Sequence, residues 1–409
     1  MLRAALGSLL TLALSLTVAS AADWPQFLGP TRDNVSPETV APWAGDLKPL
    51  WTQPVGDSHS SPVVAGGRVY AFYQPKGKNA DALAAFDAAT GKRVWEKSYD
   101  REKFSPMFGN GPRATPVVAG GRVFTLGGTG ILAAWDAKTG ELQWKVEALK
   151  DFKAPNLFFG TSTSPLVEGD TVVVNVGGKG AGVVAFGASS GKPVWKATDD
   201  AASYASPIAI GDGADRQLVF LTGANILSLS PLGEKRWAFP FKDLLNESST
   251  TPLKIDDRIF GSSVTAGSVM LKMVTKDGKP AVEQVWKKPE LTCYFSTPVV
   301  AGKHLYMVNG ALSFKDPSIT LRCVEVETGK VTWEKKKVGK YHAAILRTGD
   351  GKLLMLDDFG NLSLFEADPT GYKELAKSKV CGPTWAHPAL VGGKLYLRDE
   401  TDLICVPLK

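Results

Sequence analysis

The sequence predicts an all-β fold: a single eight-bladed β-propeller with four-stranded blades, closed by an N-terminal strand that completes the last blade. Three observations support this fold class. A repeat runs through most of the 409 residues, a tryptophan recurs near the end of most repeats, and the two ends of the chain supply complementary parts of one repeat. The 42 glycines and 26 prolines are too many for a protein of long helices and suit many short strands.

Each repeat opens with Ser-Pro or Thr-Pro, followed by an apolar pair, a glycine-rich turn and a second apolar strand. The copies SPVVAGGRVYAF and TPVVAGGRVFTL show the pattern most clearly. The starts lie 42 to 54 residues apart, a spacing typical of one propeller blade per repeat. The eight starts are Ser61, Thr115, Ser164, Ser206, Thr251, Thr297, a degenerate copy at Ala343, and His387.

The second half of each repeat carries an acidic residue, a Thr-Gly turn and a tryptophan, as in Asp87, Thr90, Gly91 and Trp95. This pattern predicts a second hairpin, whose turn uses a side-chain acceptor and a residue with positive φ. The indole on the last strand is expected to pack against the neighbouring blade. Further tryptophans stand at 144, 195, 237, 286 and 333, and blade seven has Leu375 at this position.

The two chain ends predict how the ring closes. The last repeat, from His387 to Lys409, has three strands and lacks the tryptophan strand, whereas a segment containing Trp51 precedes the first start. We expect this segment to pair with the last blade, which removes exposed sheet edges. The predicted propeller thus spans residues 46–409, and a leader of residues 23–45 precedes it. The aromatic residues of the leader predict that it packs on the propeller.

Residues 1–22 are predicted to be a signal peptide. Arg3 precedes an apolar run, and small residues suited to cleavage follow at positions 19–21. No cysteine follows the cleavage position, so no lipobox is expected, and no later apolar stretch is long enough to span a membrane. We expect a monomer in the periplasm or outside the cell. The net charge of +6 without a Lys/Arg run predicts no nucleic-acid partner.

The segment from Ala85 to Trp95, AFDAATGKRVW, resembles the tryptophan-docking motif of the quinoprotein-like (PQQ-like) propellers. The resemblance covers about residues 45–409, and the leader sequence DWPQFLGP is similar to the opening of exported bacterial members. The family implies the fold but leaves the activity open. Its dehydrogenases hold pyrroloquinoline quinone (PQQ) and calcium over the central axis. Other members, such as the propeller subunit of the outer-membrane barrel assembly machinery, bind proteins and no cofactor.

The cysteines do not match the dehydrogenases, which often place an adjacent cysteine pair against the quinone. Cys293, Cys323, Cys381 and Cys405 are all separate, and no Cys-x-x-Cys-His haem motif occurs. No set of Glu, Asn and Asp residues matches the calcium ligands either. We therefore predict no cofactor, with PQQ and calcium as the alternative. Cys323 and Cys405 occupy the position of Ala85 in their repeats, so we expect them to be buried and to pack as small apolar residues. The sequence leaves the disulfide pairing of the four cysteines open.

The loops that lead from the outer strand of one blade to the inner strand of the next should surround one mouth of the central channel. Such a concave place with apolar walls and a few polar groups is a candidate ligand or partner site. The alternative is that these residues only cap the blade junctions. At the same offset from each start stand His59, Arg113, Ser162, Tyr204, Ser249, Phe295, Tyr341 and Trp385.

Three histidines, His59, His342 and His387, belong to consecutive blades near this mouth and would suit a transition metal. They stand at successive offsets from the start signals, so we expect neighbouring side chains to point to opposite faces. No carboxylate accompanies them at a matching offset. We therefore predict hydrogen-bonding or capping roles and no metal site.

Two long loops on the mouth side, residues 99–112 and 148–160, are rich in aromatic residues. Phe108 and Phe158 are their candidate binding residues, with Phe104, Met107 and Phe159 nearby. Side chains of this kind either pack on each other or meet a partner.

No nucleophile motif, phosphate-binding glycine loop or zinc-ligand spacing occurs in the sequence. The leading hypothesis is an exported, non-catalytic propeller that binds a protein, glycan or other component of the cell envelope through its mouth. The alternative is a quinone- or metal-dependent oxidoreductase of the quinoprotein type that uses the same mouth.

Overall fold

A computed structural model describes residues 23–310 and 317–408, which form eight four-stranded antiparallel sheets. The sheets are the blades of a propeller, and the inner strands of neighbouring blades are in contact around the axis. The predicted eight-bladed fold is therefore confirmed. The predicted signal peptide lies outside the described residues. Within the described ranges, no helix has the length and apolarity that a membrane crossing requires.

The strands follow one another from the axis to the rim in every blade except the last. The first strand, β1 (Trp51–Pro54), belongs to blade 8. Blade 1 contains β2 (Val63–Ala65), β3 (Arg68–Tyr73), β4 (Ala80–Asp87) and β5 (Arg93–Asp100). Blade 2 contains β6 (Val117–Ala119), β7 (Arg122–Leu126), β8 (Ile131–Asp136) and β9 (Leu142–Glu147), followed by a helical turn, α1 (Ala148–Asp151). Blade 3 contains β10 (Leu166–Glu168), β11 (Thr171–Gly178), β12 (Ala181–Gly187) and β13 (Pro193–Ala197).

The remaining blades repeat this order. Blade 4 contains β14 (Ile208–Ile210), a 3-10 turn (Gly213–Asp215), β15 (Gln217–Leu221), β16 (Asn225–Leu229) and β17 (Lys235–Pro240). Blade 5 contains β18 (Leu253–Ile255), β19 (Arg258–Ser263), β20 (Gly267–Lys276) and β21 (Lys279–Lys288). Blade 6 contains β22 (Val299–Ala301), β23 (His304–Asn309), β24 (Thr320–Glu325) and β25 (Val331–Lys336). Blade 7 contains β26 (Ala343–Arg347), β27 (Leu353–Asp357), β28 (Asn361–Phe365) and β29 (Glu374–Lys379). Blade 8 contains β30 (Ala389–Val391), β31 (Lys394–Arg398), β32 (Asp402–Pro407) and β1.

The ring closes as the chain ends predict. Strand β1 pairs antiparallel with β32, with Trp51 opposite Cys405. The other docking tryptophans stand in the same register, for example Trp95 opposite Ala85 and Trp333 opposite Cys323. Because a small residue faces each of these three indoles across the pair, the indole can lie flat along the blade and reach the neighbouring one. Trp286 differs, since it stands opposite Met270.

Five of the seven docking indoles, those of Trp51, Trp144, Trp195, Trp286 and Trp333, join consecutive blades by hydrogen bonds as well as by packing. Trp144 Nε1 donates to the Ala188 carbonyl at 3.0 Å, and Trp333 Nε1 donates to the Asp368 carbonyl at 2.8 Å. The turn glycine of the next blade lies against the ring: a Cβ added to Gly140, whose φ is +76°, would lie 2.5 Å from Trp95. The repeated glycine therefore serves both the turn and the close approach of the indole.

All four cysteines are free and buried. Cys323 and Cys405 are fully buried opposite indoles, in the position that the sequence predicts. Burial raises the pKa of Cys293 and of Cys381 to about 12, so these thiols stay protonated at neutral pH. The cysteines thus pack as small apolar residues.

The leader crosses the end of the channel that lies opposite the mouth. Trp24 pairs with Val64 of blade 1 through hydrogen bonds of 2.8 and 2.9 Å, and Ser36 N donates to the Arg347 carbonyl of blade 7 at 2.9 Å. Between these points the buried Arg32 donates to the carbonyl groups of Pro165 and Pro207, in blades 3 and 4. The leader thereby closes that end of the channel.

Candidate functional site

A cavity of about 120 Å³ lies on the axis and opens towards the mouth. It lies between the leader and the long loops of blades 1 and 2. Its lining residues are Phe27, His59, Ser61, Phe108, Arg113, Phe159, Ser162, Tyr204, Ser249, Phe295, His342, Trp385 and His387.

Seven of the nine candidate residues line this cavity: His59, Phe108, Arg113, Tyr204, Phe295, His342 and Trp385. Tyr341 lies beside them, with its ring 6.0 Å from that of Trp385. Phe158 lies outside the cavity, is 65% exposed and contacts Phe159 edge-on with ring centroids 4.8 Å apart. The structure thus brings the predicted residues together, and their role in binding stays a prediction.

The expected orientation of the histidines is wrong. Neighbouring offsets predicted opposite faces, yet His59, His342 and His387 all line the cavity, and the rings of His342 and His387 are 5.3 Å apart. All three residues precede their strands, β2, β26 and β30. The alternation of a pleated strand therefore does not apply to them.

The three imidazoles are neutral at pH 7. Burial lowers the pKa of His59 and of His342 to about 4, and Arg113 beside His59 lowers the pKa of His59 further. Burial also lowers the pKa of His387 well below its usual value. Nowhere in residues 23–310 and 317–408 do three or more His, Cys, Asp or Glu side chains come together as a metal site requires.

The floor of the cavity comes from the leader, which sequence reasoning did not assign to the site. Phe27 contacts the His387 ring edge-on at 5.1 Å, and the Asn34 amide donates to His387 Nδ1 at 3.3 Å. The only signal in the sequence was the aromatic character of the leader. Packing was expected from it, but no repeat predicts how deep the leader enters the channel.

The loop that carries Phe108 is tied down over one side of the mouth. Arg113 donates to the carbonyl groups of Met107, Phe108 and Gly109 at 3.0 to 3.3 Å, and His59 Nε2 donates to the carbonyl of Phe108. Burial lowers the pKa of Arg113 to about 10, which leaves the guanidinium charged at neutral pH. The cavity therefore has a positive wall.

A buried ion pair fixes the base of the same loop. Arg101 Nε lies 2.8 Å from Asp81 Oδ1, and both side chains are almost inaccessible. Arg101 also donates to Gln74 at 2.8 Å and to the Asn110 carbonyl at 3.0 Å, so its donors are used inside the protein. Such a satisfied buried pair fixes a single loop conformation.

The two long loops pack on each other in part. The Phe108 ring lies 6.0 Å from that of Phe159, and Phe104 lies against Gly160, where an added Cβ would be 2.6 Å away. Met107 is nevertheless 57% exposed. The loops thus both pack together and leave apolar side chains in solvent.

Exposed apolar residues continue around the mouth face. Leu244 and Leu245 lie in the loop between β17 and β18, and Phe359 lies between β27 and β28. In an antiparallel blade, the connection between the second and third strands lies at the same end as the connection to the next blade. Both connections therefore lie on the mouth face. All three phenylalanines that are exposed among the described residues, Phe108, Phe158 and Phe359, are therefore on the mouth face.

The residues of the cavity do not fit a PQQ cofactor with calcium, which the dehydrogenase resemblance implies. The cavity of about 120 Å³ is smaller than the usual 300–1,000 Å³ of small-molecule and cofactor sites. None of its lining residues carries a carboxylate or a carboxamide, whereas Ca²⁺ takes six to eight oxygen ligands, commonly from such groups.

The family model described as outer membrane protein assembly factor BamB matches residues 36–106 and 79–335. No curated protein matches the sequence.

Solved structures of two functional classes share the fold. Quinohemoprotein alcohol dehydrogenase from Comamonas testosteroni is 15% identical over 94% of this chain and 80% of its own, with a TM-score of 0.68. BamB from Moraxella catarrhalis is 15% identical over 89% of this chain and 98% of its own, with a TM-score of 0.62. A europium-containing methanol dehydrogenase is 14% identical over 94% of this chain and 89% of its own, with a TM-score of 0.60. These likenesses show the fold alone.

Proposed function

Since the chain belongs to the PQQ-like β-propeller family whose model is described as outer membrane protein assembly factor BamB, we propose that it is an exported, non-catalytic scaffold that binds a protein of the cell envelope through its mouth. One observation carries the proposal: large apolar side chains stand exposed on the mouth face, among them Met107, Phe158 and Leu244. Exposed aromatic and methionine side chains grouped on one face are typical of protein interaction sites.

The buried ion pair between Arg101 and Asp81 supports the proposal further. It fixes the base of the Phe108 loop, in which Met107 is 57% and Phe108 43% exposed. A preorganised loop loses little conformational entropy when a partner docks. The predicted signal peptide and the family support a partner in the cell envelope, in the periplasm or outside the cell.

The alternative, a quinone- or metal-dependent oxidoreductase, has less support. The dehydrogenase structures share the fold at 14 to 15% identity, the same level as BamB, so the fold itself favours neither function. The lining of the axial cavity supplies none of the carboxylate or amide oxygens that calcium would use.

The experiment that tests the proposal compares two double variants of the purified mature chain in pull-downs from a solubilised envelope fraction. Phe158→Ser with Leu244→Ser changes the mouth face, whereas Val194→Ser with Leu232→Ser changes equally exposed residues near the opposite face. We expect the mouth variant to retain less than a tenth of the wild-type capture and the control to retain nearly all of it. Equal capture by both variants, or a loss with the control variant only, would contradict binding through the mouth.

The purified wild-type protein also needs metal analysis and a visible absorption spectrum after export in a native-like host. A colourless, metal-free protein that captures its partner is the expected result. A stoichiometric quinone or metal would overturn the non-catalytic assignment.

A further inference from the structure

The axial cavity holds a hydrogen-bond acceptor that the protein leaves unused. The Nδ1–H group of His342 donates to the Phe295 carbonyl at 2.7 Å, so Nε2 of this neutral ring carries a lone pair. The residue is only 2% exposed, and its Nε2 has no hydrogen-bond partner among the described residues. A buried polar atom without a partner is costly, so the position suits a ligand that donates.

A donor lies beside this acceptor. The Asn34 amide donates to Nδ1 of His387 at 3.3 Å, which places the proton of the neutral His387 ring on Nε2. The rings of His342 and His387 are 5.3 Å apart, and both residues line the cavity. A free lone pair next to a free N–H group matches a hydroxyl, which donates one hydrogen bond and accepts another.

The walls around these two nitrogens are aromatic. The ring of Trp385 is stacked with that of His342, with centroids 6.3 Å apart and planes 18° apart, and Phe295 lies 5.0 Å from Trp385. Phe27 of the leader closes the floor against His387. The cavity of about 120 Å³ approaches a cavity of about 150 Å³ that holds a benzene ring in another protein. The volume and walls therefore suit one six-membered aromatic ring.

We propose that this cavity is a socket for a tyrosine side chain of the partner, whose hydroxyl donates to His342 Nε2 and accepts from His387 Nε2. A phenylalanine would leave His342 unpaired, and an indole, whose N–H group only donates, would leave the N–H group of His387 unpaired. A lysine or arginine would meet the guanidinium of Arg113 with no carboxylate in the lining to balance it. The hydroxyl enters first, and the tyrosine backbone then lies at the mouth.

The source of the phenol is a protein because exposed apolar side chains border the entrance on the side of the two long loops. Met107 and Phe158 are exposed next to the Phe108 loop and need a surface larger than a free phenol to cover them. Tyrosine is also one of the residue types that are enriched among the buried anchors of protein interfaces. This inference rests on the proposed function, since it identifies the anchor by which the partner docks.

The experiment titrates the ¹⁵N-labelled mature protein with small probes and follows the indole N–H signal of Trp385, assigned with a Trp385→Phe variant. The probes are p-cresol, toluene and 3-methylindole, which correspond to the side chains of Tyr, Phe and Trp, and N-acetyl-tyrosinamide. We expect p-cresol to bind at least tenfold more tightly than toluene, because toluene leaves the nitrogens unpaired. The indole probe is expected to bind more weakly than p-cresol, and the tyrosine amide at least as tightly.

The variants separate the hydroxyl contact from general packing. In His342→Phe the preference for p-cresol over toluene should disappear, whereas His304→Phe, which changes a histidine outside the cavity, should keep it. Equal binding of p-cresol and toluene by the wild type would overturn the role of the hydroxyl. No shift of the Trp385 signal with any probe would overturn the socket.

The remaining outcomes distinguish this inference from the proposed function. If p-cresol binds at least tenfold more tightly than the tyrosine amide, the cavity takes a free phenol, and the tyrosine anchor is wrong. If the mouth variant loses the partner but no probe binds, the socket fails and the proposed function stands. If the tyrosine amide binds but the mouth variant still captures the partner, the proposed docking face fails instead.

Discussion

The rim and the axis of this propeller are built in opposite ways. On the rim, the same residue types recur in the same register: an indole, a small residue opposite it, and a turn glycine of the next blade beneath it. On the axis, equivalent positions of successive blades carry different residues, among them His59, Arg113, Tyr204 and Trp385. Repetition therefore marks the positions that hold the blades together, and variation marks the positions where one particular site can form.

Blade 7, which precedes the blade where the ring closes, shows why the other blades carry an indole on the outer strand. Blade 7 carries Leu375 where the other blades place an indole. The two strands it would dock against in blade 8, β32 and β1, come from different parts of the chain, and no turn joins them. An indole of blade 7 would therefore find no turn carbonyl to bind.

Acidification should give the largest effect, and it acts on the axis. The folded-state pKa of His59 and of His342 is about 4, against 6.5 in the unfolded chain. Between these pH values the unfolded chain binds more protons than the folded one. The free energy of unfolding should therefore fall as the pH falls through this window, by about 3 kcal/mol for each histidine. Urea unfolding at neutral pH and at pH 4 measures this.

The matched variants for this prediction are His342→Phe and His304→Phe. The charged and titratable groups near His342 are Asp358, which accepts its backbone N–H, and the His387 ring. Between neutral pH and pH 4, the free energy of unfolding of His342→Phe should fall by about 3 kcal/mol less than that of the wild type. The free energy of unfolding of His304→Phe should fall by as much as that of the wild type. Identical losses in all three proteins would mean that His342 is not a buried neutral group.

On the rim, Gly140→Ala should be a damaging substitution. Its φ is +76°, and the added Cβ would lie 2.5 Å from the Trp95 ring. Backbone strain and the displaced indole should together cost about 3 kcal/mol. Gly120→Ala is the control, since Gly120 has a φ of +54° and no atom within 4 Å of the added Cβ, so about 1 kcal/mol is expected. Urea unfolding compares the two, and equal losses would show that the indole contact is unimportant.

The leader is held at the axis through Arg32, which bonds to the starts of two inner strands. Its guanidinium donates to the Pro207 carbonyl at 2.8 Å and to the Pro165 carbonyl, and no carboxylate pairs with it among the described residues. Arg32→Met should leave these buried carbonyl groups unpaired and lower the free energy of unfolding by about 2 kcal/mol. Arg32→Lys should recover only part of this, because an ammonium cannot span both acceptors as a guanidinium fork does. A methionine variant as stable as wild type would contradict the anchoring role.

The smallest expected effect isolates one hydrogen bond on the rim. Trp333 Nε1 donates to Asp368 at 2.8 Å, whereas Trp95 Nε1 is buried without a partner among the described residues. Phenylalanine substitution at each position loses similar packing, so Trp333→Phe should cost about 1 kcal/mol more than Trp95→Phe. Thermal or urea unfolding of the two variants measures the difference. A larger loss at Trp95 would show that packing differences outweigh the hydrogen bond.

The sequence predicted the rim well because the rim is periodic. Blade number follows from the spacing of the start signals, and closure follows from the complementary ends at Trp51 and Cys405. The offset from each start also identified most of the cavity lining. The sequence did not identify the site residues that come from the leader. Phe27 and Asn34 reach the axis from this segment, which contains no repeat.

The contact between His342 and His387 shows a second limit. Both residues precede their strands, so their orientation depends on loop conformation and tertiary contacts, which the period of a strand does not encode.

Site-specific photo-crosslinking in living cells tests the central claim most directly, namely that the variable mouth face and not the repetitive rim meets the partner. A photoreactive phenylalanine analogue is placed at Phe158 on the mouth face or at Leu232, which is 74% exposed in the turn between β16 and β17 at the opposite end of blade 4. The account predicts a discrete protein adduct from position 158 and none from position 232. Adducts from position 232 alone, or the same adduct in equal yield from both positions, would contradict it.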